Sequence, residues 1–389
     1  SMKKKTLIVI NGNQEAYHGI KVLRKFYKLI LIDLNPNCIS RKLVTNFIKA
    51  DIYNSKKVLN QVKKYFKDKP KPDGSLVLSC DAVLSMATIN EYFRFKGVKI
   101  KNAERTNNKT LFKKFLKKEG IKSSKFWIVS NYQQIKKILI KNPDKKFILK
   151  PSVGRGARGV MLINKINFEK NFKICKKYAK KNDVILEEFI SGPQLSAEAL
   201  ILNRKSYLCG ISDRNYEKME DTYPYIVEDG GDTPSRYSKL LSNRIQNLLQ
   251  KISNALKFNE GTIKADLILH KGKIYVVEIA LRLSGGDYST ITIPKVYGIK
   301  IVQHAAKIAV GEKPDLKNIN LKPIKFESQR YLFLNKGVIK KIDYRKINLL
   351  KKKVGVKKID LNIKKNQKVN TPENHPQRHG NVMVFTKNR

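Results

Sequence analysis

The strongest constraint on the fold is a pair of predicted β-hairpins, at residues 146–163 and 264–286. In each stretch two apolar runs flank a short turn, a pattern that predicts two antiparallel strands. The first hairpin carries Lys150 shortly before a glycine-rich turn, and the second carries one acidic residue on each strand, Asp266 and Glu278. A chain with this pattern must therefore present a lysine, a flexible loop and two paired acids from sheets.

The glycine-rich turn, residues 154–159, fits the pattern G-x-G-x-x-G. A dinucleotide-binding fingerprint of that form must open a helix, because the pyrophosphate sits at the helix N-terminus. Residues 160–163 are the apolar run VMLI, which predicts a second strand instead, and the last glycine is not followed by the lysine and hydroxyl residue of a Walker loop. We therefore predict a hairpin whose glycine tip closes over phosphates, and a glycine-rich tip that binds nothing stays open as the alternative.

The chain is long enough for two or three domains. Residues 1–102 alternate predicted strands with predicted helices, which indicates a parallel, Rossmann-like sheet. Residues 103–320 combine helices with the two hairpins and include a lid subdomain at about 126–190, and residues 321–389 are strand-rich. The predicted fold class is therefore α/β and α+β, in three parts.

The charge balance is extreme, since 81 Lys and Arg residues against 32 Asp and Glu residues give a formal net charge of +49. Such a balance raises nucleic acid or a lipid surface as a partner. The lysines are spread through the whole chain, however, and no zinc finger, helix-turn-helix or RNA-binding aromatic motif accompanies them. We interpret the charge as compositional bias and predict no specific nucleic-acid partner. Attraction of an anionic substrate or surface stays open.

Features of the whole chain bear on its compartment. No apolar run approaches the roughly 18 residues of a membrane helix, so no membrane span is predicted. The first apolar run, residues 7–10, is shorter than the ~7–15 residues of a signal-peptide core. The four cysteines are far apart and no histidine set accompanies them, which argues against zinc and for reduced thiols. These features predict a cytoplasmic protein.

The order of these parts resembles the ATP-grasp superfamily of carboxylate–amine and carboxylate–thiol ligases. A helix opening at Asn108 and Lys109, a glycine-tipped hairpin, a Glu-Glu-Phe-Ile segment at 187–190 and two acids before Arg282 follow one another as in that family. The chain is most similar to the branch of biotin carboxylase, carbamoyl-phosphate synthetase, the purine-pathway ligases and the L-amino-acid ligases. The resemblance implies a Rossmann-like pre-ATP-grasp domain, an ATP-grasp fold with a mobile β-hairpin lid, and a small C-terminal domain.

The resemblance also implies roles for individual residues. Arg282 and Lys150 would be catalytic, and Asp266 and Glu278 would bind Mg²⁺, or Mn²⁺ in its place. The residues implied in binding ATP are Lys109, Lys150, Gly154, Gly156, Gly159, Glu187, Glu188, Phe189, Ile190 and Gln194. Among them, residues 187–190 match the hinge of the family, whose backbone would receive the adenine edge. The residues implied in presenting backbone N–H groups to the substrate are Ser284, Gly285 and Gly286.

The polar, glycine-containing segment 212–237 predicts a loop with room for a substrate. Arg214 within it is a candidate substrate contact, and a plain surface arginine is the alternative.

Two positions depart from the family pattern. Gln194 stands where a glutamate usually holds the ribose hydroxyls, and its amide still offers a donor and an acceptor. Ala280 stands where an asparagine often supplies a third metal ligand. The second departure argues against a carbamoyl-phosphate synthetase or a biotin carboxylase.

The sequence thus predicts an ATP-grasp ligase that activates a carboxylate as an acyl phosphate and couples it to an amine, or to a thiol, with release of ADP and phosphate. Two alternatives come from other classes: a basic nucleic-acid-associated protein that keeps an ATP-grasp shell, and a non-catalytic nucleotide sensor. The predicted partners are ATP and small-molecule carboxylate and amine substrates, and a homodimer is left open.

Overall fold

The computed structural model describes residues 3–389 of the chain. Its N-terminal elements are β1 Thr6–Ile10, α1 Gln14–Leu23, β2 Lys28–Asp33, a 3-10 helix Ile39–Leu43, β3 Asn46–Lys49, α2 Ser55–Phe66, β4 Gly74–Val77 and α3 Val83–Phe93. The four strands form a parallel sheet in the order β3-β2-β1-β4. Continuous apolar strands are typical of parallel sheets that helices cover on both faces. The parallel sheet predicted for this part is confirmed.

Two helices lead from this sheet into the rest of the chain, α4 Ile100–Asn107 and α5 Lys109–Lys118. Asn108 lies between them, and its side chain caps α5 by accepting a hydrogen bond from the Leu111 N–H. Asparagine is a preferred N-cap residue because it satisfies one of the unpaired N–H groups of the first turn. The cap fixes the position at which Lys109 begins the helix.

A second sheet carries the first hairpin. Its elements are β5 Phe126–Val129, α6 Tyr132–Lys141, β6 Phe147–Pro151, β7 Met161–Ile163, α7 Phe168–Ala179 and β8 Val184–Glu188. The strands are antiparallel, in the order β5-β8-β6-β7, and β6 pairs directly with β7. The glycine-rich turn is therefore followed by a strand and not by a helix. We call this unit the lid sheet.

The remaining elements build an eight-stranded sheet, here called the central sheet. They are β9 Gln194–Leu202, β10 Lys205–Asn215, α8 Met219–Thr222, β11 Gly230–Thr233, α9 Ser238–Ala255, β12 Gly261–His270, β13 Lys273–Ala280, a π-helix Tyr288–Thr292, α10 Ile293–Tyr297, α11 Ile301–Ala309, β14 Phe326–Leu332, β15 Gly337–Val338, α12 Tyr344–Lys351, β16 Val356–Leu361, β17 Lys368–Val369, a 3-10 helix His375–Gln377 and β18 Gly380–Thr386. The strand order is β13-β12-β9-β10-β11-β14-β18-β16, and β15 pairs with β17 apart from it. Three C-terminal strands thus continue the same sheet as the second hairpin, and the division into domains stays a prediction.

The loop predicted at residues 212–237 is partly wrong. β10 extends far enough to include Arg214, and β11 lies inside the segment and pairs with both β10 and β14. β11 has the sequence Gly-Gly-Asp-Thr, which lacks the apolar alternation that predicts a strand. Glycine is needed there because the neighbouring backbone lies close: a Cβ on Gly230 would lie 2.0 Å from the carbonyl oxygen of Gln329. Glycine in a strand often marks such a close approach.

Helix α11 joins the N-terminal sheet to the central sheet. It contacts β4 on one side and β9 and β12 on the other, and its Ala305 and Ala306 are buried. The approach to β4 is close, since a Cβ on Gly74 would lie 2.2 Å from the carbonyl oxygen of Ala309. This packing holds the two sheets together, and residues from both line one cavity.

Two further predictions can be compared with the structure. Within residues 3–389 no helix is long and apolar enough to cross a membrane. The four cysteines are free thiols, and Cys80, Cys175 and Cys209 are buried.

Candidate active site

A cavity of about 670 Å³ lies where the lid sheet and the central sheet meet, and residues from the N-terminal and C-terminal parts of the chain complete its lining. This volume is typical of small-molecule sites. The lining includes every site residue predicted from the sequence except Gly159. Gly159 has a φ of +72° and packs against Tyr178, so it shapes the hairpin and not the cavity.

Lys150 is buried at the end of β6 and shares a carboxylate with a second lysine. The Nζ atoms of Lys150 and Lys113 lie 3.2 and 3.3 Å from the same oxygen of Glu187. Ser124 donates a further hydrogen bond to that oxygen, at 2.9 Å. Burial opposes the charge of Glu187, but the two ammonium groups outweigh it and lower the pKa of Glu187 to about 2. Two cations around one anion leave a net positive charge on this wall, which suits an anionic ligand.

The predicted hinge, residues 187–190, lies at and beyond the end of β8. The N–H of Glu188 donates to the Lys125 carbonyl at 3.0 Å, and the N–H of Phe189 donates to the Lys146 carbonyl at 2.8 Å. These bonds fix the path of the segment along the cavity. Its binding of an adenine edge stays a prediction.

The glycine tip of the first hairpin contacts the N-terminal part of the chain at Tyr53 and the C-terminal part at His375. Gly156 and Ala157 adopt left-handed backbone conformations, with φ of +65° and +58°. The Arg155 guanidinium lies 3.5 Å from the centroid of the Tyr53 ring, and the His375 N–H donates to the Gly156 carbonyl at 2.9 Å. The tip is thus closed over the cavity.

The two predicted acids face each other across the second hairpin. Lys271 and Gly272 form its two-residue turn, both with positive φ, as the tightest hairpin turns require. The turn sets the register as far as Leu267 and Val276, and a β-bulge at Val277 then brings Glu278 directly opposite Asp266. Such opposite residues have Cβ atoms ~5 Å apart. Asp266 is buried, whereas the Glu278 side chain is 44% exposed and lies 3.7 Å from Lys109 Nζ.

Asp266 has a cation on each oxygen. Arg214 Nη1 lies 3.1 Å from Oδ2, and Lys264 Nζ lies 2.7 Å from Oδ1. Burial opposes the charge, but these cations lower the pKa of Asp266 to about 2, so the carboxylate is ionised. Arg214 is itself fixed by Glu228, which accepts hydrogen bonds from Nε and Nη2 at 3.0 and 2.7 Å. In this structure Arg214 therefore bridges two carboxylates, and its substrate contact stays a prediction.

Arg282 reaches across to the loop that follows β4. Its Nε and Nη2 donate to Asp81 Oδ1 at 2.8 and 2.6 Å, and its Nη1 donates to the Leu283 carbonyl at 3.0 Å. Burial opposes the charge of Asp81, but Arg282 holds the pKa of Asp81 below its usual value. Sequence reasoning missed Asp81. The available signal was its place at the carboxyl end of a parallel strand, where ligand sites of such sheets form.

Two carboxylates hold the segment after Arg282. The N–H and Oγ of Ser284 donate to Glu198 at 2.9 and 2.8 Å, and the N–H of Gly286 donates to Glu15 at 2.9 Å. Burial raises the pKa of Glu198 to about 7 and also raises that of Glu15. A Cβ on Gly285 would lie 2.7 Å from Glu15 Oε2, so a larger residue there would require the Glu15 carboxylate to shift. Because these N–H groups already donate to the protein, their predicted role toward a substrate stays a prediction.

The C-terminal part adds residues that no motif revealed. The Arg378 guanidinium lies 3.4 Å from the centroid of the Tyr331 ring and donates to the Glu228 carbonyl at 3.2 Å. The Glu228 N–H donates to His375 Nε2 at 3.4 Å, and burial lowers the pKa of His375 well below its usual value. Only the pairing of β14 with β18 places these residues at the cavity, so the sequence pattern could not identify them.

The fit of the acid pair to a divalent cation can be judged at Asp266. Its Oδ1 is buried and has no hydrogen-bond donor among residues 3–389, because Lys264 lies at ion-pair distance without hydrogen-bond alignment. Mg²⁺ takes carboxylate oxygens and commonly completes its shell with phosphate and water. In the same residues no group of three or more His, Cys, Asp or Glu side chains could hold a metal. The pair therefore fits a cation that arrives with a phosphate ligand.

A family model described as an ATP-grasp domain matches residues 106–286. Residues 106–286 therefore form an ATP-grasp domain. The matched range contains both hairpins and every residue implied in binding ATP and the metal, so the resemblance seen in the sequence is confirmed.

Two curated relatives of the chain illustrate the match. The carbamoyl phosphate synthase large chain of Agathobacter rectalis is 24% identical over 335 residues, which are 80% of this chain and 29% of that protein. The L-arginine-specific L-amino acid ligase of Bacillus subtilis is 24% identical over 247 residues, which are 60% of this chain and 57% of that protein. The chain thus spans less than two thirds of the length of either relative.

Solved structures share the ATP-grasp fold over nearly the whole chain. The L-amino acid ligase from Bacillus licheniformis has a TM-score of 0.79 at 18% identity, and the match covers 100% of this chain and 95% of that one. The N5-carboxyaminoimidazole synthetase from Staphylococcus aureus, complexed with ADP, has a TM-score of 0.73 at 17% identity and covers 99% and 95%. The predicted fold class is thereby confirmed.

Proposed function

We propose that this ATP-grasp protein is an ADP-forming ligase that activates a carboxylate as an acyl phosphate and couples it to an amine. The observation that supports the proposal most is the convergence of Lys150, the Asp266–Glu278 pair and Arg282 on one cavity. Phosphoryl transfer asks the protein mainly for positioning and for charge neutralisation around the phosphates. These residues provide both.

ATP would lie between the lid sheet and the central sheet. Lys150 and Lys109 line the cavity, and their ammonium groups lie beside Glu187 and Glu278, so both can reach phosphate oxygens. The closed glycine tip would cover the phosphates. Gln194, at the start of β9, would hold the ribose hydroxyls.

A divalent cation at the acid pair would supply positive charge to the β- and γ-phosphates. The low pKa of Asp266 keeps its carboxylate ionised, and Glu278 faces Asp266 from the next strand. Both carboxylates are therefore available to the cation. Mg²⁺ is the ion we propose, with Mn²⁺ as a substitute.

The proposed chemistry has two steps. A carboxylate oxygen of the first substrate attacks the γ-phosphorus of ATP, the bond to the β–γ bridging oxygen breaks, and ADP leaves. The amine nitrogen then attacks the acyl carbon, phosphate leaves, and the nitrogen loses a proton. Arg282 would neutralise charge on the transferring group, and the segment Ser284, Gly285 and Gly286 would position the acyl group.

The substrates would be small charged molecules in the cytoplasm. The N-terminal and C-terminal parts of the chain contribute side chains of both charges to the cavity lining, namely Glu15, Lys358, Asp360 and Arg378. Such a lining suits a small polar ligand, with a few polar groups fixing its orientation. Arg214 is proposed as a further substrate contact, and the intact set of site residues supports turnover over nucleotide sensing.

The test is ADP release from ATP and Mg²⁺, screened against pooled carboxylates crossed with pooled amines. We expect ADP and phosphate to accumulate with one carboxylate–amine combination and to fall to background when either pool or Mg²⁺ is left out. Release of AMP and pyrophosphate would reject the proposal. ADP release at a rate that depends on neither the carboxylate pool nor the amine pool would also reject it.

A further inference from the structure

Lys264 lies at the acid pair but was not predicted from the sequence. It precedes Asp266 by two residues on β12, so both side chains lie on one face of the sheet. Its ladder partners are Ala280 on β13 and Glu198 on β9. The methyl group of Ala280 takes little space on that face, and the Lys264 side chain, 19% exposed, lines the cavity and ends 2.7 Å from Asp266 Oδ1.

The two cations on Asp266 differ in how firmly they are held. The Arg214 guanidinium is fixed by two hydrogen bonds to Glu228 in addition to its contact with Oδ2. In the part of the chain that the structure describes, Asp266 Oδ1 receives an ion pair from Lys264 and no hydrogen bond. A lysine is a point charge on a flexible stem, whereas an arginine fork is rigid. The Lys264 ammonium is therefore the more movable of the two cations.

A divalent cation at Asp266 would meet this ammonium. Oδ2 faces the fixed Arg214, so the ion must use Oδ1, and two positive charges on one oxygen repel strongly. Binding of the ion must move Lys264. Lys264, Arg282 and Asp81, the partner of Arg282, all line the same cavity.

We propose that Lys264 is a further catalytic residue. It pairs with Asp266 in the metal-free site, and the divalent cation displaces its ammonium group from Asp266. The ammonium group then contacts the transferring phosphoryl group. This inference rests on the proposed function. In this proposal the Lys264 ammonium neutralises Asp266 while the site is empty and acts together with Arg282 when nucleotide is bound.

The first experiment titrates Mn²⁺ alone into the nucleotide-free protein and follows free Mn²⁺ by electron paramagnetic resonance. Lys264→Met removes the competing charge, so it should bind Mn²⁺ at least about fivefold more tightly than the native protein. Lys264→Arg keeps the charge and should stay close to native. Lys273→Met, an exposed lysine on the neighbouring strand, is the matched control and should change nothing. Equal affinities in Lys264→Met and the native protein, or no saturable binding in Lys264→Met, would overturn the proposal.

The second experiment uses Mg-ADP with aluminium fluoride, a mimic of the transferring phosphoryl group. Lys264→Met should bind Mg-ADP at least as well as the native protein but lose about tenfold in affinity when the fluoride is added. Lys264→Arg should recover most of that loss. An undiminished gain from the fluoride in Lys264→Met would show that Lys264 does not contact the transferring group.

Asp266→Asn separates this inference from the proposed function. If Asp266→Asn still binds Mn²⁺ like the native protein, the acid pair is not the metal site and the proposed function loses its support. If Asp266→Asn loses Mn²⁺ while Lys264→Met binds like the native protein, the metal site stands and only the role of Lys264 is rejected.

Discussion

Arg282 donates from two guanidinium nitrogens to a single oxygen of Asp81, at 2.8 and 2.6 Å. The Arg282 side chain is 12% exposed and that of Asp81 is 39% exposed, so the pair lies at the cavity wall. Asp81 follows β4 of the N-terminal sheet, whereas Arg282 follows β13 of the central sheet. The cation proposed to neutralise the transferring group is therefore held in place by an acid from a distant part of the chain.

Loss of the buried acid should abolish turnover. Asp266→Asn removes a charged ligand from the acid pair, so Mg²⁺-dependent ADP release should fall at least about 100-fold. Asp221→Asn is the matched control, since Asp221 is exposed and pairs only with Lys218 in its own turn among the residues described. Circular dichroism should show both variants folded. Native rates of ADP release in Asp266→Asn would contradict the assignment.

Closure of the lid should depend on the contact between Arg155 and Tyr53. Arg155→Ala removes a cation–π contact of roughly 0.5–2 kcal/mol, so residues 152–160 should exchange amide hydrogens faster and the KM for ATP should rise. Saturating ATP should slow exchange in the same residues of the native protein. Lys165→Ala, at an exposed site beyond β7, is the control. Exchange at the tip that responds neither to Arg155→Ala nor to ATP would argue against a mobile lid.

Local pattern was enough to predict the parts of the site that a single hairpin contains. Alternating apolar residues and the Lys271–Gly272 turn predict that Asp266 and Glu278 lie on paired strands, whereas the β-bulge at Val277 that sets them directly opposite each other was not predicted. The order of hairpins along the chain was likewise enough to predict the fold class. In these elements the information lies within about twenty residues of sequence, where propensity and turn chemistry act directly.

The residues that escaped prediction are those that only tertiary structure brings together. Lys113 reaches Glu187 from helix α5, Asp81 reaches Arg282 from another sheet, and Arg378 arrives through the β14–β18 pairing. Lys113 and Arg378 have no local signal in a chain of 81 Lys and Arg residues, and the signal for Asp81 was its place after the carboxyl end of β4. Glu187 illustrates the limit: its segment was predicted as a hinge, but the ion cluster around its carboxylate could not be.

A buried acid in the lining of the cavity, Glu327, should make stability depend on pH. Burial raises the pKa of Glu327 to about 8, above its usual value of 4.5, and its Oε1 has no hydrogen-bond partner among residues 3–389. The folded state therefore holds this proton more tightly than the unfolded chain. Its contribution to stability is lost as pH rises from about 4.5 through 8, by roughly a few kcal/mol.

Glu327→Gln keeps the neutral form at every pH. Its free energy of unfolding should exceed that of the native protein at pH 8 and the difference should shrink toward pH 5. Denaturant unfolding at a series of pH values would measure this, with Glu220→Gln at an exposed site as control. A difference that stays flat across the series would show that Glu327 ionises normally.

The proposed acyl phosphate should be open to trapping. With the carboxylate that supports ADP release, hydroxylamine should replace the amine and give a hydroxamate, because an acyl phosphate reacts with added nucleophiles. Arg282→Ala removes the charge that neutralises the transferring group and should lower the hydroxamate yield about 100-fold or more. Asp81→Asn keeps Arg282 but loosens its anchor, so its yield should fall between those of Arg282→Ala and the native protein. Hydroxamate formation indifferent to Arg282, or AMP in place of ADP, would mean that the carboxylate is activated by different chemistry.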